Sequence, residues 1–319
     1  MKNHHIVFAT ALSLALASTQ AIADGEKIAI FTKNQTNPYF QAFRLGADSA
    51  AKQMNAATTH YVPTKPDSIP EQLGEIDDVV VKKPNGIVLI PVDYKAIVPG
   101  VKKINDAGIP VVNATDRAES GNFVNWVGAD DYSTALAAGQ ALVKALGGKG
   151  NVVIIEGVRG VVGNTNRVNG FKKAIEEAPG IKLLASQPGN YQRLQALQVM
   201  ENLIQTYPKI DGVMAANDAM AGGAMEALEG ANRKSLIVGI NGSKEAVEAI
   251  KAGKMLASGD AAPFLQGCFS TMSVLRSIRN LPVPKEIVFP PMLVEKTTLA
   301  NYDIAPDKQS CPAWNTIVK

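Results

Sequence analysis

The stretch "KIAIFTKNQTNPYFQAFRLGADSAAKQM", Lys27 to Met54, decides the fold. An apolar run of strand length, KIAIF, passes through a polar exit into a helical pattern that opens at Asn37-Pro38, with Asn as the cap and Pro at the first helical position. Tyr39 and Phe40 stand side by side at that opening, and neighbouring positions on a helix do not share a face. Only one ring can therefore face the core, which leaves the other for a different use. The same passage from buried run to polar exit to helix recurs outward along the chain. Further strands are read in "TTHYVP", "GIVLIP", "IPVVNA", "NVVIIEG", "IKLLASQ", "GVMAAND", "LIVGING" and "MLASGDA", with helices starting after Ser68 and Ser243. Unbroken apolarity and β-branched content fit parallel strands buried on both faces. Repeated strand-helix-strand units make the fold class α/β with right-handed crossovers. "KPNGIVLIPVDYKAIVPGVKKI" and "KIDGVMAANDAMAGGAMEAL" share one plan and suggest two similar lobes.

Residues 1–23 stand apart from this pattern. A basic start at Lys2, an apolar centre from Ile6 to Ala17 and the small-residue ending Ala21-Ile22-Ala23 read as a secretory signal peptide cleaved after Ala23. The apolar centre is too short to cross about 30 Å of hydrocarbon, and no later segment qualifies as a span. The remaining length suits two domains. A net charge of +3 without a basic block gives no sign of a nucleic-acid groove. Of three histidines, two leave with the leader. The remaining His60, read on a strand, leaves little room for metal or triad chemistry. Cys268 and Cys311 are the only cysteines. An exported compartment allows them to oxidise, and a bridge forms if their Cα atoms come within about 4.4–6.8 Å; otherwise they are two buried thiols.

In doubly wound sheets ligands sit outside the carboxyl ends of the strands. Reading those exits gives Asn37, Tyr39 and Phe40, then Asp116 and Arg117, then Arg167, Tyr191, Asn217, Asn241 and Asp260 as candidate ligand-binding residues. Carboxylates accept from hydroxyls, a guanidinium donates in a fixed fork, an Asn amide does both, and a flat ring covers the C–H face of a sugar. This set suits a neutral polyhydroxylated molecule. Each residue also has a plainer use: Asn37 and Asn217 as helix caps, Asp116 and Arg117 as an exposed ion pair. Their common position at equivalent exits favours a shared site.

"KNQTNPYFQAFRLGADSAAKQM", "GIPVVNATDR", "RVNGFKKAI", "VMAANDAMAGGAMEAL" and "IVGING" together resemble the periplasmic sugar-binding proteins of the ribose-binding type, a branch of the type I solute-binding proteins. The likeness runs in order along nearly the whole chain after the leader. It implies two Rossmann-like lobes with parallel sheets joined by a three-strand hinge, the first from 24–128 plus 262–291, the second, with the tail, from 129–261 plus 292–319. It implies a monomer that closes over a monosaccharide or polyol and delivers it to the membrane permease of an ABC importer, with no cofactor. It also matches Asn37, Tyr39, Phe40, Asp116, Arg117, Arg167, Tyr191 and Asn217 to the family's ligand contacts. The chain departs from the ribose binders in carrying Asn241 where Asp is common, in lacking a Gln near Ala261 (with Asp260 adjacent), and in carrying Pro91 where Asn is expected. Ribose itself is therefore not assumed. If Cys268 lies on a first-lobe helix, a bridge to Cys311 draws the tail toward the first lobe or the hinge, and it should avoid the cleft.

Two other classes are weaker. An enzyme would need tools that are missing: no G-x-G-x-x-G follows the first strand, and "GGKGN" is not a phosphate loop. Asp116 and Asp260 remain as a conceivable carboxylate pair for glycoside hydrolysis. A sugar-responsive regulator would carry a helix-turn-helix headpiece where the leader stands. A binding protein for a non-sugar signal molecule or a chemoreceptor ligand would present much the same sequence.

Overall fold

In a computed structural model the described residues are 25–302, 304 and 308–318, so the leader lies outside them. The first lobe is laid down as β1 (Lys27–Phe31), α1 (Pro38–Gln53), β2 (Ala57–Tyr61), α2 (Ile69–Lys82), β3 (Gly86–Leu89), α3 (Val98–Asp106), β4 (Val111–Ala114) and β5 (Trp126–Ala129). The second follows as α4 (Asp131–Ala145), β6 (Lys149–Glu156), α5 (Val162–Glu176), β7 (Gly180–Pro188), α6 (Arg193–Thr206), β8 (Gly212–Ala215), α7 (Asp218–Gly230), β9 (Leu236–Ile240), α8 (Lys244–Lys251) and β10 (Ala257–Asp260). The chain then returns to the first lobe with α9 (Pro263–Ile278) and β11 (Glu286–Phe289), crosses again to β12 (Met292–Glu295), and ends in a short α10 (Trp314–Ile317).

The two sheets have matching strand orders, β11-β5-β4-β3-β1-β2 and β12-β10-β9-β8-β6-β7. Position for position, β3 and β8 are equivalent, which is where the faint sequence echo between the halves falls. Parallel strands buried on both faces explain the apolar runs. In β1, Ile28 and Ile30 pack with Phe43 and Ala47 of α1, while Ala29 and Phe31 join Ile76 of α2 and Val101 of α3 on the opposite face. Helix starts follow their caps: Asn37, Ser68 and Ser243 each accept a backbone N–H in the first turn of α1, α2 and α8. Asp130 caps α4 by accepting the N–H of Ser133.

The first sheet is parallel throughout, and the second has one exception, β12, which runs antiparallel to β10. All other strands end at the cleft, and β12 enters its sheet from the cleft just after β11, so it must run the other way. Three short crossings, after Ala129, Asp260 and Phe289, form the hinge. Of the second-lobe segment and tail expected in 292–319, β12 joins the second sheet. Cys311, however, is bonded to Cys268 of α9, with Cα atoms 5.7 Å apart. Its backbone lies against Ser49 and Gln53 of α1. The covalent bond holds the end of the tail on the first lobe.

Candidate functional site

Strand exits from both sheets meet around a cavity of about 220 Å³. That lies below the roughly 300–1,000 Å³ typical of drug-sized sites and fits one small molecule. From the first lobe it is lined by Lys33, Asn37, Tyr39, Phe40, Val92, Asp93, Thr115 and Asp116. The second lobe brings Asp131, Val158, Val161, Gly163, Arg167, Tyr191, Asn217 and Asn241.

On the first-lobe side the turn after β1 is fixed by its own amides. Asn34 accepts from the N–H of Asn37 and donates to Asp67, while Asn37 accepts from the N–H of Tyr39. Asn37 is thus both a cap and a cavity residue. Contrary to the expectation that only one ring can face the core, Tyr39 and Phe40 are both buried at the cavity edge and stand edge to face, 5.3 Å between centroids. The hydroxyl of Thr115 donates to Gln266 at 2.8 Å, so the Tyr39 hydroxyl, 3.0 Å from Thr115, is left as the donor to it. Burial pushes the Tyr39 phenol well above its usual range, so it stays protonated. Asp116 pairs through Oδ2 with Lys33 at 2.6 Å.

Arg167, on α5, organises the second-lobe side. Its Nε donates to Asp131 at 2.7 Å, and its Nη1 donates to the carbonyl of Ala216 and to Asn241 Oδ1. Burial opposes its charge, but Asp131 holds the guanidinium protonated. For Asp131 itself, burial pushes the carboxyl up against the pull of Arg167. Asn217 caps α7 through Met220 and donates to the carbonyl of Tyr191. The Tyr191 ring rests on the backbone at Gly157, where a Cβ would come within 2.2 Å of the ring. Thr115, Tyr191 and Asn241 all have positive φ, at 59°, 60° and 128°. Left-handed non-glycine residues are uncommon and gather at functional sites.

Two expected residues lie elsewhere. Arg117 does not line the cavity: its Nη2 donates to Glu286 at 2.6 Å, its guanidinium lies 3.7 Å from the Trp126 ring centroid, and its side chain is 54% exposed. Thr115 turns the chain through a left-handed conformation, after which Asp116 goes inward and Arg117 outward. Asp260 is buried at the hinge, where its Oδ1 accepts from the N–H of Ala262 and its carboxyl meets Tyr302. That N–H belongs to a left-handed residue with φ 51°, and the crossing from β10 to α9 needs an acceptor there. Asp116 and Asp260 therefore do not face one cavity as a catalytic pair would. Conversely, Lys33, Thr115 and Asp131 were missed, although Asp131 stood in a doublet whose partner is the cap.

A family model described as a periplasmic binding protein domain matches residues 28–280. The chain belongs to the periplasmic binding protein family. Among relatives of this periplasmic binding protein, the ribose import binding protein of Haemophilus influenzae is 30% identical over 278 residues, covering 87% of this chain and 94% of the relative. The D-apiose import binding protein of Paraburkholderia graminis is 32% identical over 252 residues, covering 77% and 78%. A solved ABC transporter solute-binding protein from Actinobacillus succinogenes with bound D-allose superimposes with a TM-score of 0.83 at 35% identity, covering 87% of this chain and all of the other. These relatives are binding proteins rather than enzymes. The two-lobed fold and the likeness to ribose-type binders expected from the sequence are both present.

Proposed function

We propose that this periplasmic binding protein captures one monosaccharide or polyol between its lobes, unchanged, and delivers it to an ABC importer. The observation that carries this reading is the division of the cavity's polar groups between lobes: Asn37 and Asp116 from one, Asp131, Arg167 and Asn241 from the other. Full satisfaction of a hydroxyl-rich guest then requires both lobes, so the guest favours the closed form by its differential affinity for it. The relatives named above are import binding proteins for ribose and apiose and a protein with bound allose, which supports a sugar guest and leaves its identity open. Asp116 and Asp131 each hold a cation on one oxygen, an arrangement suited to accepting hydrogen bonds from hydroxyls rather than delivering a proton to a leaving group.

The test is a thermal-shift screen of the purified protein against pentoses, hexoses, furanoses and polyols, followed by calorimetry and mass spectrometry of the recovered guest. A binder of the native state raises apparent stability. At least one neutral sugar or polyol is expected to shift the transition and to return intact. Silence across the panel, or conversion of the guest, would overturn the reading.

A further inference from the structure

The carboxylates of Asp116 and Asp131 face each other from opposite lobes. Asp116 has Oδ2 on Lys33, and Asp131 has Oδ1 on Arg167. Their other oxygens converge on Gly163, in the first turn of α5: the position a Cβ would take there is 3.0 Å from Asp131 Oδ2 and 3.4 Å from Asp116 Oδ1. The absence of a side chain at Gly163 thus leaves a small space in the cavity with an acceptor on either side. Each of these carboxylates has its own cation, and Asp67 and Asp93 add further carboxylates to the cavity lining. A carboxylate or phosphate guest would set another anion beside partly desolvated ones, whereas hydroxyl donors complete the free oxygens without adding charge.

We propose that Asp116 and Asp131 act as a cross-lobe double acceptor that selects a neutral guest presenting two neighbouring hydroxyl donors at Gly163, with Asp131 the specificity-determining residue of the second lobe. This rests on the binding reading above. It adds which part of the guest is read and which guests are refused: sugar acids and sugar phosphates.

The experiment uses calorimetry on the full mature protein with a neutral sugar found in the screen, its uronic acid, and its series of monodeoxy analogues. Loss of a hydrogen bond to a charged group is worth about tenfold or more in affinity. Two analogues lacking adjacent hydroxyls should each bind about tenfold or more weakly, and the uronic acid more weakly still. Asp131→Asn keeps an acceptor for Arg167 but turns the free oxygen into a donor. It should weaken the parent sugar about tenfold or more, yet cost nothing further for the analogue lacking the hydroxyl that Asp131 reads. Gly163→Ala should fill the space and lower affinity without lowering the melting temperature of the unliganded protein.

If Asp131→Asn proves unstable, the deoxy series on the unmodified protein and Gly163→Ala decide the matter. Equal binding of all deoxy analogues, equal binding of the uronic acid, an amino sugar bound more tightly than its parent, or full affinity in Gly163→Ala would overturn the proposal. In each of those cases neutral sugars still bind, so the binding reading survives. Failure of every neutral sugar to bind strikes the binding reading itself.

Discussion

Arg167 commits three of its five donors to the protein, on Asp131, Ala216 and Asn241, and its Nη2 is the arm left for a guest. Arg167→Ala should lower affinity by about tenfold to a hundredfold, from loss of a charged hydrogen bond worth about 1.5–3 kcal/mol. The melting temperature should fall as well, since Asp131 is left partly buried without its cation. Arg117→Ala is the contrasting case. It removes a surface contact with Trp126 worth about 0.5–1 kcal/mol and should leave affinity unchanged in the same calorimetry. The two arginines looked alike in the sequence because both follow strands at equivalent ends. What separates them is the left-handed turn at Thr115, a conformation that no residue type in "NATDR" announces. Tyr39 raises a similar question of which part of the side chain matters. Its hydroxyl is committed to Thr115, so Tyr39→Phe should lower stability by about 1 kcal/mol in chemical denaturation while the ring keeps its place. A loss of affinity larger than about threefold in that variant would mean that the hydroxyl, not the ring, meets the guest.

At the scale of elements, the sequence was most legible where a strand is buried on both faces or a helix begins at a side-chain cap. β1, β3, β4, β6 and β8 read as apolar runs, and Asn37, Ser68 and Ser243 mark their helices. β5, β11 and β12 were not legible as strands. Each is four residues long and lies at a crossing, and the partly exposed β11 lacks the continuous apolar signal. Polar positions behind the cavity were also hidden. Asp218, the first residue of α7, is buried and accepts from Ser258 Oγ and from the N–H of Ser243. Ser258 in turn accepts from Gly242, which sets the turn that presents Asn241. Burial pushes the Asp218 carboxyl up to about 7, and that of Asp260 up to about 6. An unfolded Asp titrates near 3.9, so the folded state holds more protons between about pH 4 and about pH 7. Stability is then full below about pH 4 and declines as pH rises through that window, by a few kcal/mol at most. Asn at 218 can still accept from Ser243 and donate to Ser258. Asp218→Asn should therefore flatten this decline in denaturation at about pH 5 and about pH 8. Parallel slopes in the two proteins would refute the assignment.

At the scale of the whole molecule, the tail ties together what the hinge separates. After β12 has joined the second sheet, the chain passes Tyr302, which meets Asp260 at a crossing, and reaches Cys311 on the first lobe. There Trp314 packs on Phe269 and lies 4.4 Å beneath the Arg276 guanidinium. A short tether of this kind would oppose opening. Glu295 and Cys311, however, are sixteen residues apart, and that length could extend to about 50 Å. A tether of that reach is not expected to oppose a hinge movement, and neither cysteine lines the cavity. Its contribution should appear in the unfolded state instead. Closing a loop with a sequence separation of 43 restricts the unfolded chain by about 4 kcal/mol in the chain-entropy account. Cys268→Ala with Cys311→Ala, or reduction of the bridge, should lower the melting temperature by several degrees while sugar affinity stays within about threefold. An unchanged melting temperature would mean that the packing around Trp314 already confines the tail. A large change in affinity with stability preserved would mean that the tether is taut and sets the balance between open and closed lobes.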